Sequence, residues 1–197
     1  MSILKVARMG HPVLRIKART VDAAEIATPV FQKLIDDMFE TMREYSGIGL
    51  AAPQIHESVR LFVAGLRTSR LTGEMSDDNE MPFVALINPE ITPVASTESG
   101  KIELAEDWEG CLSIPDIRGK VLRPKSIKVR ALNRDGKRIE LQASGLPARV
   151  IQHETDHLDG VLFFDRMKTL ETMTFLDEYS RYWREPDDDE DSVDDES

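Results

Sequence analysis

The sequence predicts an α+β domain, and three observations carry that expectation: a long amphipathic helix near the start, a block of short strands in the middle, and a later helix bearing two histidines. The first helix is announced by Thr28-Pro29, a capping residue followed by proline at the first helical position. Behind it Phe31, Leu34, Ile35, Met38, Phe39, Met42 and Tyr45 recur at three- and four-residue spacing and form one apolar stripe. The strands are expected at 59–64, 83–87, 127–132 and 139–143, with Asn133-Arg134-Asp135-Gly136 as a hairpin-type turn between the last two. Residues 69–79 are polar and aperiodic, which reads as a surface loop. The histidine-bearing helix should span about 145–158, with Ser144 as N-cap and Gly160 as its stop. Leu170, Met173, Leu176, Tyr179 and Trp183, spaced by three and four behind Thr169, predict a C-terminal helix.

At 197 residues the chain can bury one sizeable core but not two comfortable ones. Its 41% hydrophobic and 31% charged residues are those of a soluble globular protein, and no apolar run approaches the length of about 18 residues that spans a bilayer. The N-terminus has neither a secretory apolar core nor the Arg- and Ser-rich pattern of a transit peptide, so a cytoplasmic location is expected. The net charge of −11 owes much to eight acidic residues in positions 187–197, and the remainder carries about −3. The expected organisation is a catalytic domain over 1–186 that includes the C-terminal helix, followed by an acidic and disordered tail over 187–197.

The chemistry concentrates in three segments. In His153-Glu154-Thr155-Asp156-His157, two histidines at i and i+4 project from one helix face and can chelate one metal ion. Glu154 then stands beside the metal, where a carboxylate can take a proton from water held there. The bland alternative is a pair of surface histidines on a polar turn. A catalytic site of this kind usually has three protein ligands and one open position, and Cys111, the only cysteine, is the candidate for the third. Taken alone, a lone cysteine is more often a small buried hydrophobe. Gly47-Ile48-Gly49-Leu50-Ala51-Ala52-Pro53-Gln54 sets small residues where a backbone could approach a ligand closely, although a helix end followed by a tightly packed strand explains the pattern equally well.

In all three segments, and in their order, the chain resembles the peptide deformylase family. The family's glycine-hydrophobic-glycine-hydrophobic-Ala-Ala-x-Gln motif is met by Gly47 through Gln54, its Glu-Gly-Cys-hydrophobic-Ser motif by Glu109-Gly110-Cys111-Leu112-Ser113, and its Gln-His-Glu-x-Asp-His motif by Gln152 through His157. The likeness in spacing and context runs over residues 3–166. It implies an α+β fold in which short antiparallel sheets surround the helix with the two histidines, and a metal-dependent hydrolase that removes the N-formyl group from the first methionine of new polypeptides. It further implies one divalent ion per chain on Cys111, His153 and His157, natively Fe²⁺ in much of the family, with Zn²⁺, Ni²⁺ or Co²⁺ able to take its place. A soft thiolate beside two imidazoles agrees with that set and serves Mg²⁺ or Ca²⁺ poorly.

The same resemblance implies roles for individual residues. Glu154 would carry the proton from water to the departing amine, while the Gln54 side chain and the Leu112 backbone N–H would receive the charge developing on the formyl oxygen. An apolar pocket beside the metal would take the methionine side chain, with Ile48, Leu146 and Val150 as candidate lining. Backbone groups around Ile48, Gly49 and Gly110 would pair with the extended peptide as an added strand.

The implied partners are nascent N-formyl-Met polypeptides; neither DNA nor a membrane is expected. Some family members dock a basic C-terminal helix on the ribosome. Here Arg166, Lys168, Arg181 and Arg184 are offset by Glu171, Asp177, Glu178 and Glu185, and the acidic tail would be repelled by RNA, so any transient ribosome contact is not expected through this end. A metallopeptidase shares the His-Glu-x-x-His arrangement, yet no histidine follows His157 to complete its usual ligand set. A non-catalytic descendant of the fold should have lost Glu154, Gln54 or a ligand, and all are present.

Overall fold

A computed structural model describes residues 2–66 and 81–184 of the chain; the expected 69–79 loop and the acidic tail lie outside them. A short helix α1 (Ala23–Ile26) leads into α2 (Pro29–Glu44), the long helix anticipated from the stripe. The Thr28 hydroxyl accepts from the Phe31 N–H and Pro29 occupies the first turn, so the start is fixed as the sequence suggested. Phe31, Ile35, Met38 and Met42 are buried, the last three completely. Tyr45 is the C-cap instead of a stripe member and is partly exposed.

Strands β1 (Gly49–Ala51), β2 (Leu61–Leu66), β3 (Met81–Pro93), β4 (Leu104–Cys111), β5 (Ile114–Pro124), β6 (Ser126–Leu132) and β7 (Arg138–Ser144) follow, then α3 (Gly145–Leu158), α4 (Phe163–Arg166), β8 (Thr174–Phe175) and α5 (Leu176–Tyr182). They form two antiparallel sheets, one in the order β1-β2-β3-β6-β7 and one in the order β4-β5-β8. All four expected strands are present, each displaced or lengthened at its ends. The β6–β7 turn has Gly136 at φ +72°, and the Asn133 side chain accepts from the N–H groups of Asp135 and Lys137.

Strand β2 explains how one sheet serves two helices. Successive side chains of a strand point to opposite faces. Leu61 and Val63 join the cluster of Ile35, Met38 and Met42 beneath α2, while Phe62 and Ala64 join that of Ala148, Ile151 and Leu158 on α3. The sheet is therefore sandwiched, and α3 is buried along 148–158 on every side, polar residues included. Ser144 is the N-cap, although its hydroxyl pairs with that of Ser126 and not with the helix. Gly160 at φ +74° packs against the backbone of Arg15, a place and a conformation that admit no side chain.

Two expectations need correction. Strands β4 and β5 were not anticipated, since β4 reads Leu-Ala-Glu-Asp-Trp-Glu-Gly-Cys without an apolar alternation and β5 carries two prolines and a glycine. Their mutual ladder supplies the order that the pattern lacks. The C-terminal helix does not begin at Thr169: that residue caps a single 3₁₀ turn over Leu170–Thr172, after which the chain extends to pair β8 with Ile117 and Arg118. The helix proper is only Leu176–Tyr182. Leu170 and Met173, counted in the stripe, are exposed.

Candidate metal centre and active site

Helix α3 sets the two histidines one turn apart. Their rings meet edge to face with centroids 5.0 Å apart, and His153 stacks on Phe163 at 6.3 Å with the planes inclined by 26°. Cys111, at the end of β4, brings its Sγ to 3.2 Å from Nε2 of His157. One donor atom from each of Cys111, His153 and His157 falls within 4.8 Å of the others. All three side chains are nearly buried.

Glu109, two residues before Cys111 on β4, reaches the same pair of α3 histidines, although the ladder with β5 shifts register between the two. Its carboxylate accepts from Nδ1 of His153 at 2.9 Å, which commits that nitrogen and leaves Nε2 for the cluster. Glu109 also takes two hydrogen bonds from Arg123, at 2.6 and 2.9 Å, and one from Arg149 at 2.7 Å. Arg123 extends to Asp156 at 2.9 Å, which Arg166 reaches at 2.6 Å. Buried charges persist only when paired and hydrogen-bonded, and each of these is. Burial by itself would raise the Glu109 carboxyl, but Arg123 and His153 outweigh it and hold the group well below the usual carboxylate range.

Whether this pocket suits a cation can be judged from its donors. Burial disfavours the Cys111 thiolate, yet the charge of His157 and hydrogen bonds from both imidazoles bring the thiol well below its usual range. A thiolate and two imidazoles converge there, with a carboxylate orienting one ring from behind. Among the described residues, two buried side-chain atoms have no hydrogen-bond partner, Nδ1 of His157 and Oε2 of Glu154. The set fits a borderline-soft transition metal.

Glu154 adjoins His153 on the same helix and is buried. Desolvation is the largest influence on it, and the carboxyl is pushed up to about 7. Strand β1 passes directly over it. A Cβ added at Gly49 would lie 2.7 Å from the Glu154 carboxyl carbon, so only glycine lets the two elements close. Gln54, in the 3₁₀ turn Ala52–Ile55 that follows β1, accepts from the Ala51 N–H through Oε1 at 2.8 Å. Its Nε2 is thereby turned toward Cys111 Sγ at 3.5 Å and Ser113 Oγ at 3.3 Å.

A cavity of about 500 Å³ opens on this centre. Ile48, Gly49, Gly110, Leu112, Leu146 and Val150 all line it, as do Gln54, Cys111, His153 and Glu154. His157 sits behind the others and is almost wholly enclosed. The structure groups Cys111, His153 and His157, and sets Ile48, Gly49, Gln54, Gly110, Leu112, Leu146, Val150 and Glu154 around the adjoining cavity. Sequence reasoning missed Glu109 as the partner of His153, together with Arg123, Arg149 and Asp156. The signal available for Glu109 was its position two residues before Cys111, hence on the same face, had the segment been read as a strand.

Comparison with known proteins agrees with the geometry. The sequence profile of the family described as polypeptide deformylase matches residues 3–173. The chain is 45% identical over 169 residues to peptide deformylase 1 of Prochlorococcus marinus, covering 85% of this chain and 82% of that one. It superposes with a TM-score of 0.75 and 39% identity on a crystal structure of a class I type b peptide deformylase from Acinetobacter baumannii bound to Met-Ala-Ser, covering 85% of this chain and all of the other. An actinonin complex of a peptide deformylase from Synechococcus elongatus gives 0.72 and 36%, over 90% of this chain and 85% of that one.

Proposed function

The chain belongs to the polypeptide deformylase family, a metal-dependent hydrolase that removes the N-formyl group from an N-terminal methionine, and from that premise we propose how its residues divide the work. Cys111, His153 and His157 hold the ion, which we assign as Fe²⁺, with Zn²⁺, Ni²⁺ or Co²⁺ as substitutes. When bound, the ion supplies Lewis-acid activation of water and of the formyl carbonyl.

The remaining steps fall to the chain. Glu154 accepts the proton that water gives up as it attacks the formyl carbon, and later delivers that proton to the departing amine. A buried carboxylate adjoining His153 and lining the cavity is placed to do both. The Gln54 amide, its oxygen tied to Ala51, presents N–H groups beside Cys111 and receives the charge developing on the formyl oxygen, together with the Leu112 N–H. Formate and a methionine-starting peptide leave.

Binding follows from the cavity. Ile48, Leu146 and Val150 take the methionine side chain, while backbone groups of Ile48 and Gly49 at β1 and of Gly110 on β4 pair with the peptide as a strand added between these two edge strands. The partners are nascent formyl-Met polypeptides in the cytoplasm, with any ribosome contact made away from the acidic tail. Among the described residues no helix is long and apolar enough to cross a membrane. The catalytic unit is assigned to 1–186.

The observation that carries this reading is the convergence of Cys111, His153 and His157 within 4.8 Å beneath a buried carboxylate. The test is formate release from a formyl-Met peptide by freshly purified, anaerobically handled protein. Release that depends on stoichiometric iron supports it. Undiminished release after complete metal removal contradicts it.

A further inference from the structure

The family match ends at residue 173, yet the cavity does not: Leu176, on α5, lines it. So does Trp108, three residues before Cys111 on β4. Helix α5 packs on that indole from the outside. Tyr179 meets it edge to face at 5.1 Å, Trp183 lies against it at 5.8 Å, and the Lys120 ammonium sits 5.3 Å from its centroid. The ring is thereby held in one place, and an apolar wall is built from two segments distant in sequence.

The alternation of β4 says which part of a substrate meets that wall. Glu109 and Cys111 reach the histidines of α3, whereas Trp108 meets Tyr179 of α5 and a Cβ on Gly110 would point at Arg118, away from α3. If the formyl-methionine residue lies opposite Cys111, its side chain enters the pocket of Leu146 and Val150 on α3. The next residue then lies opposite Gly110, with its side chain on the face of Trp108. A diagonal neighbour on an added strand is within reach of an aromatic ring. The Arg118 guanidinium packs over Gly110, its Nε 2.8 Å from where a Cβ would stand, and forms the other side of the recess. We infer that Trp108, braced by α5, and Leu176 form a shelf for the side chain of the second substrate residue and give this enzyme a preference for large apolar or aromatic residues there.

The inference rests on the reading of the substrate as a strand added at Gly110, and one experiment separates the two. The iron-loaded enzyme is assayed for kcat/KM on formyl-Met-X-Ser peptides with X as Phe, Leu, Gly or Asp, and on the same peptides N-methylated at X, which removes the N–H that would pair with β4. Aromatic contacts of this kind predict a Phe-to-Gly preference of roughly three- to tenfold, expressed mainly in KM. Leu176→Ser and Trp108→Ala should each lower that ratio at least about twofold. Leu176→Ser, on the short outer helix, carries the test if loss of the indole prevents folding. A ratio unmoved by Leu176→Ser overturns the shelf, and so does a parent preference for Asp, which would give the position to Arg118. Should N-methylation weaken every peptide while the ratio stays at unity, the shelf alone fails. If N-methylation has no effect, the added-strand reading fails and the shelf falls with it.

Discussion

Glu109 accepts a hydrogen bond from Nδ1 of His153 at 2.9 Å, and the same carboxylate is clamped by Arg123 and Arg149. One residue thus orients a ring of the Cys-His-His cluster and is shared by two buried guanidinium groups, whose remaining charge is met by Asp156 and Asp107. Glu109→Gln should lower metal affinity roughly 10- to 100-fold, as loss of a partner behind a ligand typically does. Stripping the clamp of its charge should also destabilise the fold by about 3 to 5 kcal/mol. Metal titration and denaturant unfolding of parent and variant measure both. Unchanged values would mean that the network is ornamental.

The pH dependence of that difference has a definite sign. The folded Glu109 carboxyl lies below the ordinary glutamate value of 4.5, so its contribution is complete above 4.5 and is lost as pH falls toward the folded value. The stability advantage of the parent over Glu109→Gln should therefore hold from pH 8 to about 5 and shrink in more acid solution. An advantage that grows on acidification would contradict the assignment.

Cys111 contributes the one thiolate of the cluster. Cys111→Ala should leave two imidazoles, too few to retain the ion through purification, and bound metal should collapse. A variant that kept one equivalent at parental affinity would remove the thiolate from the ligand set.

Gly49 lets β1 lie against Glu154. Gly49→Ala should push the carboxylate or the strand aside, reducing kcat/KM by about 10²-fold, the usual effect of a misplacement near 1 Å. Iron content should be unaltered, because Gly49 offers no donor to the cluster. Parental turnover would show that the two elements separate at no cost.

Much of the site was legible because its spacing is local. His153 and His157 need only the period of a helix, and Thr28-Pro29 marks a helix start without help from the rest of the chain. The fold was less legible where order comes from partners distant in sequence. Strand β4 has no apolar alternation and draws its register from β5, so nothing in its own pattern announces it. For the same reason Glu109 was seen as part of a motif and not as the partner of His153, and Arg123 and Arg149, from β5 and α3, could be placed on it only by the fold. At the C-terminus the apolar spacing was helical, yet pairing of Thr174 and Phe175 with β5 overrode it.

The central claim is that Glu154 carries the proton while Cys111, His153 and His157 hold the ion. Glutamine keeps the shape of glutamate but cannot accept and return a proton. The measurement is iron content, formyl-Met peptide affinity and kcat for Glu154→Gln and parent under identical anaerobic conditions. The account predicts one equivalent of iron, near-parental peptide affinity and a kcat lower by about 10²- to 10⁴-fold. A variant that turns over at the parental rate with its iron in place would contradict it.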